Sequence, residues 1–370
     1  MSVLITLIAA LIVFSAVIAI HEFGHFAVAK LCGIQVNEFS IGMGPVLWKK
    51  YRKGTQYSLR ALPVGGFVAL EGEESPESQQ AEQARDQQAA PPEAADGTEQ
   101  PAGIPLNEAP VWQRILVMAA GAFMNFVLGF AVLVLLVAAQ EGVITSKTIY
   151  SIEENALCGQ TGLQAGDEIL AVNGRRCFVA NDILYELMRT EQYRARFTVK
   201  RDGQTVELPD VQFDTWQDAD GGTHMTLGFV VYGIRKTPAS VLKEAWNSTL
   251  YYGRIVFTSL ADLLKGRESI NNLSGPVGIV TAIGQAASYG WRDVLELLAL
   301  ITINLGIFNL LPFPALDGGK VVFLVIEGVT GHAVPEKLQG VLTVAAFGLL
   351  FGLMLFATYN DIIRLVTGAM

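Results

Sequence analysis

Charge is scarce in this sequence of 370 residues: Asp, Glu, Lys and Arg together make 16%, where about 25% is usual, while 51% of the residues are hydrophobic. That shortage excludes a disordered chain and argues against an ordinary soluble enzyme. Basic residues are in deficit, 26 against 35 acidic for a net charge of −9. No basic field is left to hold a phosphate backbone, which excludes nucleic acid as a partner. Cysteine is nearly absent: Cys32, Cys158 and Cys177 make no disulfide framework and contain no CxxC. Histidine is scarce too, and the only four (His21, His25, His224 and His332) restrict any histidine-ligated metal to few places.

What the chain has in quantity is uncharged length. Val3 to Ile20 is interrupted only by Thr6 and Ser15, which is long enough to span a bilayer. A secretory signal fits less well, because no basic region precedes the run and no small-residue cleavage pattern follows it. Ile115 to Ala139 is a second run, with Asn125 its one strongly polar side chain, and Leu338 to Asn360 is another. Between them, Val294 to Glu327 is apolar yet carries Glu296, Asn304, Asn309, Pro312, Pro314, Asp317 and Lys320. Such groups persist at membrane depth only where they face protein or a water-filled cavity, so the segment reads as broken and site-forming. Lys30, Lys49, Lys50, Arg52 and Lys53 follow the first span and no basic residue precedes it. The first loop is therefore expected in the cytoplasm, with both termini and the 140–290 region outside.

These runs divide the chain. Residues 1–30 are the first transmembrane segment and 111–140 the second; 293–328 are a broken third and 338–361 the fourth. Residues 31–70, with NEFSIGMGP and QYSLRALPVGGFVAL, suggest membrane-associated β-hairpins. Residues 71–110, rich in Glu, Gln, Ala and Pro, read as a flexible acidic cytoplasmic loop. Residues 143–235 look like a small α/β domain, with turns expected at Asn173-Gly174 and Asp202-Gly203 and a short helix from Asn181 to Met188. Residues 236–292 read as an amphipathic helix opening at Thr237-Pro238, lying on protein or on the membrane surface, followed by a linker.

The chemistry is concentrated in His21-Glu22-Phe23-Gly24-His25, an HExxH sequence. On a helix, residues i and i+4 share a face, so both imidazoles can bind one Zn²⁺ while the glutamate takes a proton from an activated water. Placing three such groups at the end of an apolar span costs several kcal/mol unless they pair or bind a metal. A polar cap that snorkels out of the lipid is the plainer alternative. At ~1.5 Å per residue the run before His21 covers roughly 27 Å of a ~30 Å core, which puts the motif near the cytoplasmic side but inside the membrane.

A zinc hydrolase needs a third ligand and one open position. His224 lies in the outer domain, on the wrong side of the membrane, and His332 beside a glycine in a short loop, so both read as surface histidines. Asp317 is better placed, after two prolines that break the helix and before Gly318 and Gly319. It serves either as a ligand or as the N-cap of the helix that resumes at Lys320, or as both.

HEFGH in a first span, NLLPFPALDGG from Asn309 to Gly319, and GLQAGDEILAVNG between the second and third spans together resemble the site-2 protease family. Within it the chain is most similar to the bacterial regulator of sigma-E protease class. The resemblance covers nearly the whole chain, including FSIGMGP, LPVGGFVAL and LSGPVGIV. It implies that His21, His25 and Asp317 bind Zn²⁺ and that Glu22 is the catalytic base. It also implies that the hairpin around Gly65 and Gly66 offers a strand edge to an unwound substrate helix, whose freed backbone groups strand addition would satisfy. Asn309 would either bind the substrate backbone or developing oxyanion, or stabilise its helix. Gly121 and Asn125 match the family's motif in the second span, for close packing or for a substrate contact. The outer domain resembles a PDZ module, which would bind a peptide, exclude bulky ectodomains or act as a spacer. Only one such module fits here, unlike the tandem of the best-known members. Cys158 and Cys177, on the oxidising side, either pair or remain buried thiols.

The expected architecture is a polytopic α-helical membrane protein of about four transmembrane segments, with membrane-associated β-hairpins and one extracytoplasmic α/β PDZ-like domain, in the bacterial inner membrane. The expected activity is a zinc endopeptidase acting in the lipid bilayer on single-pass membrane proteins in regulated intramembrane proteolysis. Its substrates would be anti-sigma factors, similar membrane-tethered regulators or remnant signal peptides. A catalytically idle adaptor binding through the PDZ-like domain is one rival, against which the intact His21, Glu22, His25 and Asp317 argue. A zinc transporter is the other, which fits neither the single HExxH nor the outer domain.

Overall fold

In hydrocarbon a backbone must satisfy its own polar groups, and the long uncharged runs of this chain accordingly become helices. The computed structural model describes residues 3–73, 103–219 and 221–367; most of the acidic 71–110 segment lies outside the described residues. The chain opens with helix α1 (Val3–Leu31), strands β1 (Val36–Arg52) and β2 (Thr55–Leu70), and helix α2 (Val111–Ala139). Then come β3 (Ile144–Ile152), α3 (Leu157–Gln160), β4 (Glu168–Val172), β5 (Arg175–Arg176), α4 (Ala180–Met188), β6 (Arg194–Arg201) and β7 (Gln204–Gln212). A hairpin β8 (Asp214–Gln217) and β9 (Thr223–Thr226) precedes β10 (Phe229–Ile234) and the long helix α5 (Pro238–Leu264). The last elements are α6 (Pro276–Tyr289), α7 (Trp291–Leu310), α8 (Asp317–Thr330) and α9 (Glu336–Thr367). Helices α1, α2, α7 and α9 are long and apolar enough to cross a membrane. The stretch expected as a linker after α5 instead contains α6, whose first residue is the helix-compatible Pro276.

Two compact units result, Met1–Val132 with Val256–Met370, and Leu133–Ile255. In the first, β1 and β2 fold on themselves. Val36–Ile41 runs antiparallel to Gly66–Leu70, Val46–Arg52 pairs with Thr55–Arg60, and Glu38–Ile41 also lies in register beside Gln56–Leu59. Gly66–Leu70 thus pairs on one side only among the described residues, leaving an open edge. Inside this sheet buried Glu38 is matched: it accepts from Ser58 Oγ at 2.5 Å and Arg60 Nη2 at 2.8 Å. Arg60 Nε in turn donates to Ser40 Oγ at 2.9 Å. The sheet's base joins the helices through a core of Ala29, Ile34, Val36, Leu70, Val117, Met118 and Leu324. Helix α6 packs against α1, α7 and α9. Its N-terminus is held by Asp361 of α9, fully buried, whose Oδ2 accepts from Gly278 N at 2.7 Å.

The second unit is built on a sheet of order β10-β3-β4-β6-β7, with β5 paired to β4. Asn173-Gly174 and Asp202-Gly203 have positive φ at both residues and close the two-residue turns β4–β5 and β6–β7. Beneath the sheet, Ile149, Leu163, Ile169, Val172, Ile183, Leu187, Phe197 and Val199 form the core. Asp167, fully buried, is clamped by Arg201 through Nε at 2.7 Å and Nη2 at 2.8 Å. Arg254 of α5 joins the buried pair Asp182 and Glu186 of α4.

Cys158 and Cys177 belong to this core as free thiols. Burial raises the Cys158 thiol above its ordinary value and, with Asp182 nearby, pushes Cys177 up to about 12. Neither forms appreciable thiolate at pH 8. Maleimide labelling of the native protein at that pH is expected to spare both residues, with reductant making no difference, and to reach them only on denaturation. Rapid native labelling of Cys177, read by peptide mass spectrometry, would contradict the buried placement.

Candidate metal centre

HEFGH lies within α1, which continues to Leu31, so its histidines are fixed one turn apart on one helix face. The rings sit edge to face with centroids 4.8 Å apart, and their Nε2 atoms approach to 3.2 Å. A third group comes from the other end of the chain. Pro312 and Pro314 cannot continue α7, so the chain turns over after Leu310 and restarts as α8 at Asp317. Gly318 and Gly319 let that turn lie directly on the new helix: a Cβ at Gly319 would come 2.6 Å from Pro314 Cα. Leu316 occupies the cap position and makes no side-chain cap bond. The Asp317 carboxylate is therefore not used as a cap, and its Oδ2 lies 3.1 Å from His21 Nε2 and 3.3 Å from His25 Nε2.

The proton positions decide what this cluster can be. His25 Nδ1 is 2.8 Å from the Val117 carbonyl, which can only accept, so Nδ1 carries the proton and Nε2 of the neutral ring is a lone pair. That lone pair faces a carboxylate oxygen which is buried without a hydrogen-bond partner. Two acceptors at this distance repel unless a proton or a metal cation lies between them. Tetrahedral zinc with ligands at ~2.0–2.1 Å requires donor separations of about 3.3 Å, and the triangle of 3.1, 3.2 and 3.3 Å matches it. Two imidazoles and a carboxylate with a fourth position open are also the donor set of a catalytic zinc site. Among the described residues no other group of His, Cys, Asp and Glu could hold a metal. His224 is engaged by Asp218 Oδ2 at 2.7 Å, and His332 is exposed.

Helix α2 orients the rings. Asn125 is fully buried, its amide 3.2 Å from His21 Nδ1 and its Oδ1 without a partner. Turning that amide about Cβ–Cγ brings Oδ1 onto the Nδ1 proton and removes the orphan, leaving His21 Nε2 free to ligate. Gly121 gives the rings their space: a Cβ there would collide with His25 Nε2 and stand 2.7 Å from His21 Cε1. The Val117 carbonyl, a backbone group, leaves no trace in the sequence, whereas Gly121 and Asn125 were visible there as a pair without a target.

Glu22 projects beside this cluster, within the field of His25, His21 and Asp317. On its other side is the open strand: a Cβ on Gly66 would stand 3.5 Å from Glu22 Cγ and 2.8 Å from Ser40 O. Gly65, with φ of 90°, turns the chain into that strand against Met43. Asn309, near the end of α7, places its amide nitrogen 3.5 Å from both ring nitrogens of His21, at the long limit of hydrogen bonding. The cluster thus brings His21, Glu22, His25, Gly66, Asn125, Asn309 and Asp317 to one place.

Comparison with known proteins gives a consistent result. The profile of peptidase family M50 matches residues 9–353. The regulator of sigma-W protease RasP of Bacillus subtilis strain 168 is 30% identical over 418 residues, covering 97% of this chain and 99% of its own length. Zinc metalloproteases RasP of Shouchella clausii and Bacillus licheniformis are each 30% identical, over 420 and 421 residues, with the same two coverages.

Loss of the Asn125 amide is expected to weaken zinc binding ~10- to 100-fold in Asn125→Ala, as for other groups that orient a metal-ligating histidine. Competition with a chelator during zinc titration measures it. An unchanged affinity would show that Asn125 does not orient His21.

Proposed function

The chain belongs to peptidase family M50 and is a membrane zinc metalloendopeptidase, and from that premise we propose that it cuts single-pass membrane proteins within their transmembrane segments. The observation that carries this reading is the open strand Gly66–Leu70 running beside Glu22 and the His21, His25 and Asp317 cluster. A peptide bond inside a helix is shielded by its own hydrogen bonds, so a substrate must unwind before its carbonyl can be attacked. In lipid the freed N–H and C=O groups need partners, and an unpaired strand edge supplies them.

His21, His25 and Asp317 would hold the zinc. When bound, the ion supplies Lewis-acid polarisation of the scissile carbonyl and lowers the pKa of water. The Glu22 carboxylate takes a proton from the attacking water and returns it to the departing amide nitrogen. Gly65 and Gly66 keep side chains out of the space between strand and base, and Asn309 offers its amide to the substrate backbone. Asn125, fully buried against His21, is better suited to orienting that ring than to meeting substrate.

Lysine and arginine directly after the first span support a bacterial inner-membrane topology with the active site near the cytoplasmic side and residues 143–235 outside. The strand order of that region leaves β10 as an edge, and Gly228, with φ of 67°, leads into it. Both features support a PDZ-like module that takes a peptide by strand addition or screens out bulky ectodomains. The fitting substrates are tethered regulators such as anti-sigma factors, or remnant signal peptides, whose ectodomains have already been shortened.

Detergent-purified wild type is expected to hold about one zinc per chain and to cleave a single-pass reporter with a destabilised helix. Glu22→Gln should keep the zinc and lose cleavage by several orders of magnitude. Gly66→Val should also keep it and lose most activity, because the new side chain meets Ser40 O and Glu22. Full activity in Glu22→Gln would overturn the assignment of the base, and full activity in Gly66→Val the strand edge.

A further inference from the structure

Lysine is out of place at the start of α8. In the first turn of a helix it faces the positive end of the backbone dipole, and in an apolar segment it bears a desolvation cost as well. Lys320 nevertheless sits there, three residues after Asp317 and hence on neighbouring ground of the same helix. Its Nζ meets Glu73 Oε1 at 2.8 Å, with the Lys320 side chain 47% exposed and that of Glu73 14%. The carboxylates acting on the ammonium are those of Glu73, Asp317 and Glu22.

Glu73 is joined to the open strand by a short, fixed turn. Its N–H donates to Leu70 O at 3.3 Å, closing the turn directly after the last residue of β2. Glu71 N donates to Gln35 O at 3.1 Å, and Leu106 N donates to Glu71 O at 2.7 Å. The Leu70–Glu73 turn is therefore rigid at its base, and the ion pair links it to the helix that carries the third metal ligand. At its far end the same helix is tied to α2 by a second pair, Arg114 to Glu327 at 2.8 Å, which touches no part of the strand.

We infer that the Glu73–Lys320 ion pair is a latch that sets the register of the Gly66–Leu70 edge against the metal ligands and so fixes which substrate bond is cut. The inference rests on that edge being the substrate strand. Lys320 and Glu73 are positioning residues; neither touches the reacting atoms. With the latch open, a strand-paired substrate slides relative to Glu22 and Asp317. The loss then falls on kcat and on the uniqueness of the cut rather than on binding.

The test uses the full-length protein in detergent with a single-pass reporter. It reads kcat, KM, zinc per chain and the cut positions by mass spectrometry for wild type, Glu73→Gln, Lys320→Gln, the double variant, Lys320→Arg and Glu327→Gln. Each single Gln variant of the latch is expected to keep its zinc, to lose kcat ~10- to 100-fold with KM within ~3-fold, and to scatter the cut over neighbouring bonds. The double variant should be no worse than the singles, because they remove one interaction. Lys320→Arg should restore the single cut, and Glu327→Gln should never lose it. Wild-type kcat and a single cut in both latch variants would overturn the inference. So would losses that multiply in the double variant, scatter in Glu327→Gln, or loss of zinc in Glu73→Gln. Wild type that holds zinc but cuts no reporter would instead remove the substrate-strand reading, and the latch with it.

Discussion

Two imidazole nitrogens and a carboxylate oxygen meet at 3.1 to 3.3 Å, with the Nδ1 proton of His25 already committed to the Val117 carbonyl, and the first structural unit is arranged around that meeting. A cation resolves the repulsion. Much of the surrounding structure serves to hold the three groups there: α1 sets the His21–His25 spacing, and the proline-broken turn before α8 returns Asp317 from nearly three hundred residues away. Helix α2 supplies Val117 O, Asn125 and the missing side chain of Gly121.

The apolar surroundings set the terms of this arrangement. Outside water, an unpaired carboxylate or imidazole costs several kcal/mol, so polar groups around the site pair with one another, while the orphaned Asp317 Oδ2 is the one a cation would satisfy. Glu38, Ser58, Arg60 and Ser40 satisfy one another inside the sheet, and Arg114 and Glu327 join α2 to α8. One exception is the outer edge of Gly66–Leu70, whose backbone groups have no strand on that side among the described residues. An open edge beside Glu22 and the converging His21, His25 and Asp317 is the feature on which the proposed extended substrate rests.

Legibility in the sequence followed the range of the forces involved. Helix-length apolar runs, the i and i+4 histidines, and the Asn-Gly and Asp-Gly turns are local, and each could be read directly from neighbouring residues. Asp317 was readable because proline and glycine bracket it, although only the structure removes its capping role by placing Leu316 there. What stayed hidden is what long-range packing decides. Nothing local pairs Glu73 with Lys320, aims Asn125 at His21, or reveals the Val117 carbonyl. Helix α6 was missed because its Gly- and Pro-containing start reads as a linker until Asp361 of α9 is brought to its N-terminus.

Zinc K-edge X-ray absorption of the detergent-purified wild type interrogates the convergence of His21, His25 and Asp317 most directly. The expected first shell holds only nitrogen and oxygen at ~2.0–2.1 Å, with multiple scattering from two imidazoles, and Asp317→Asn should alter it or abolish zinc retention. A shell containing sulfur, a single imidazole, or a spectrum unchanged by Asp317→Asn would contradict the site as drawn.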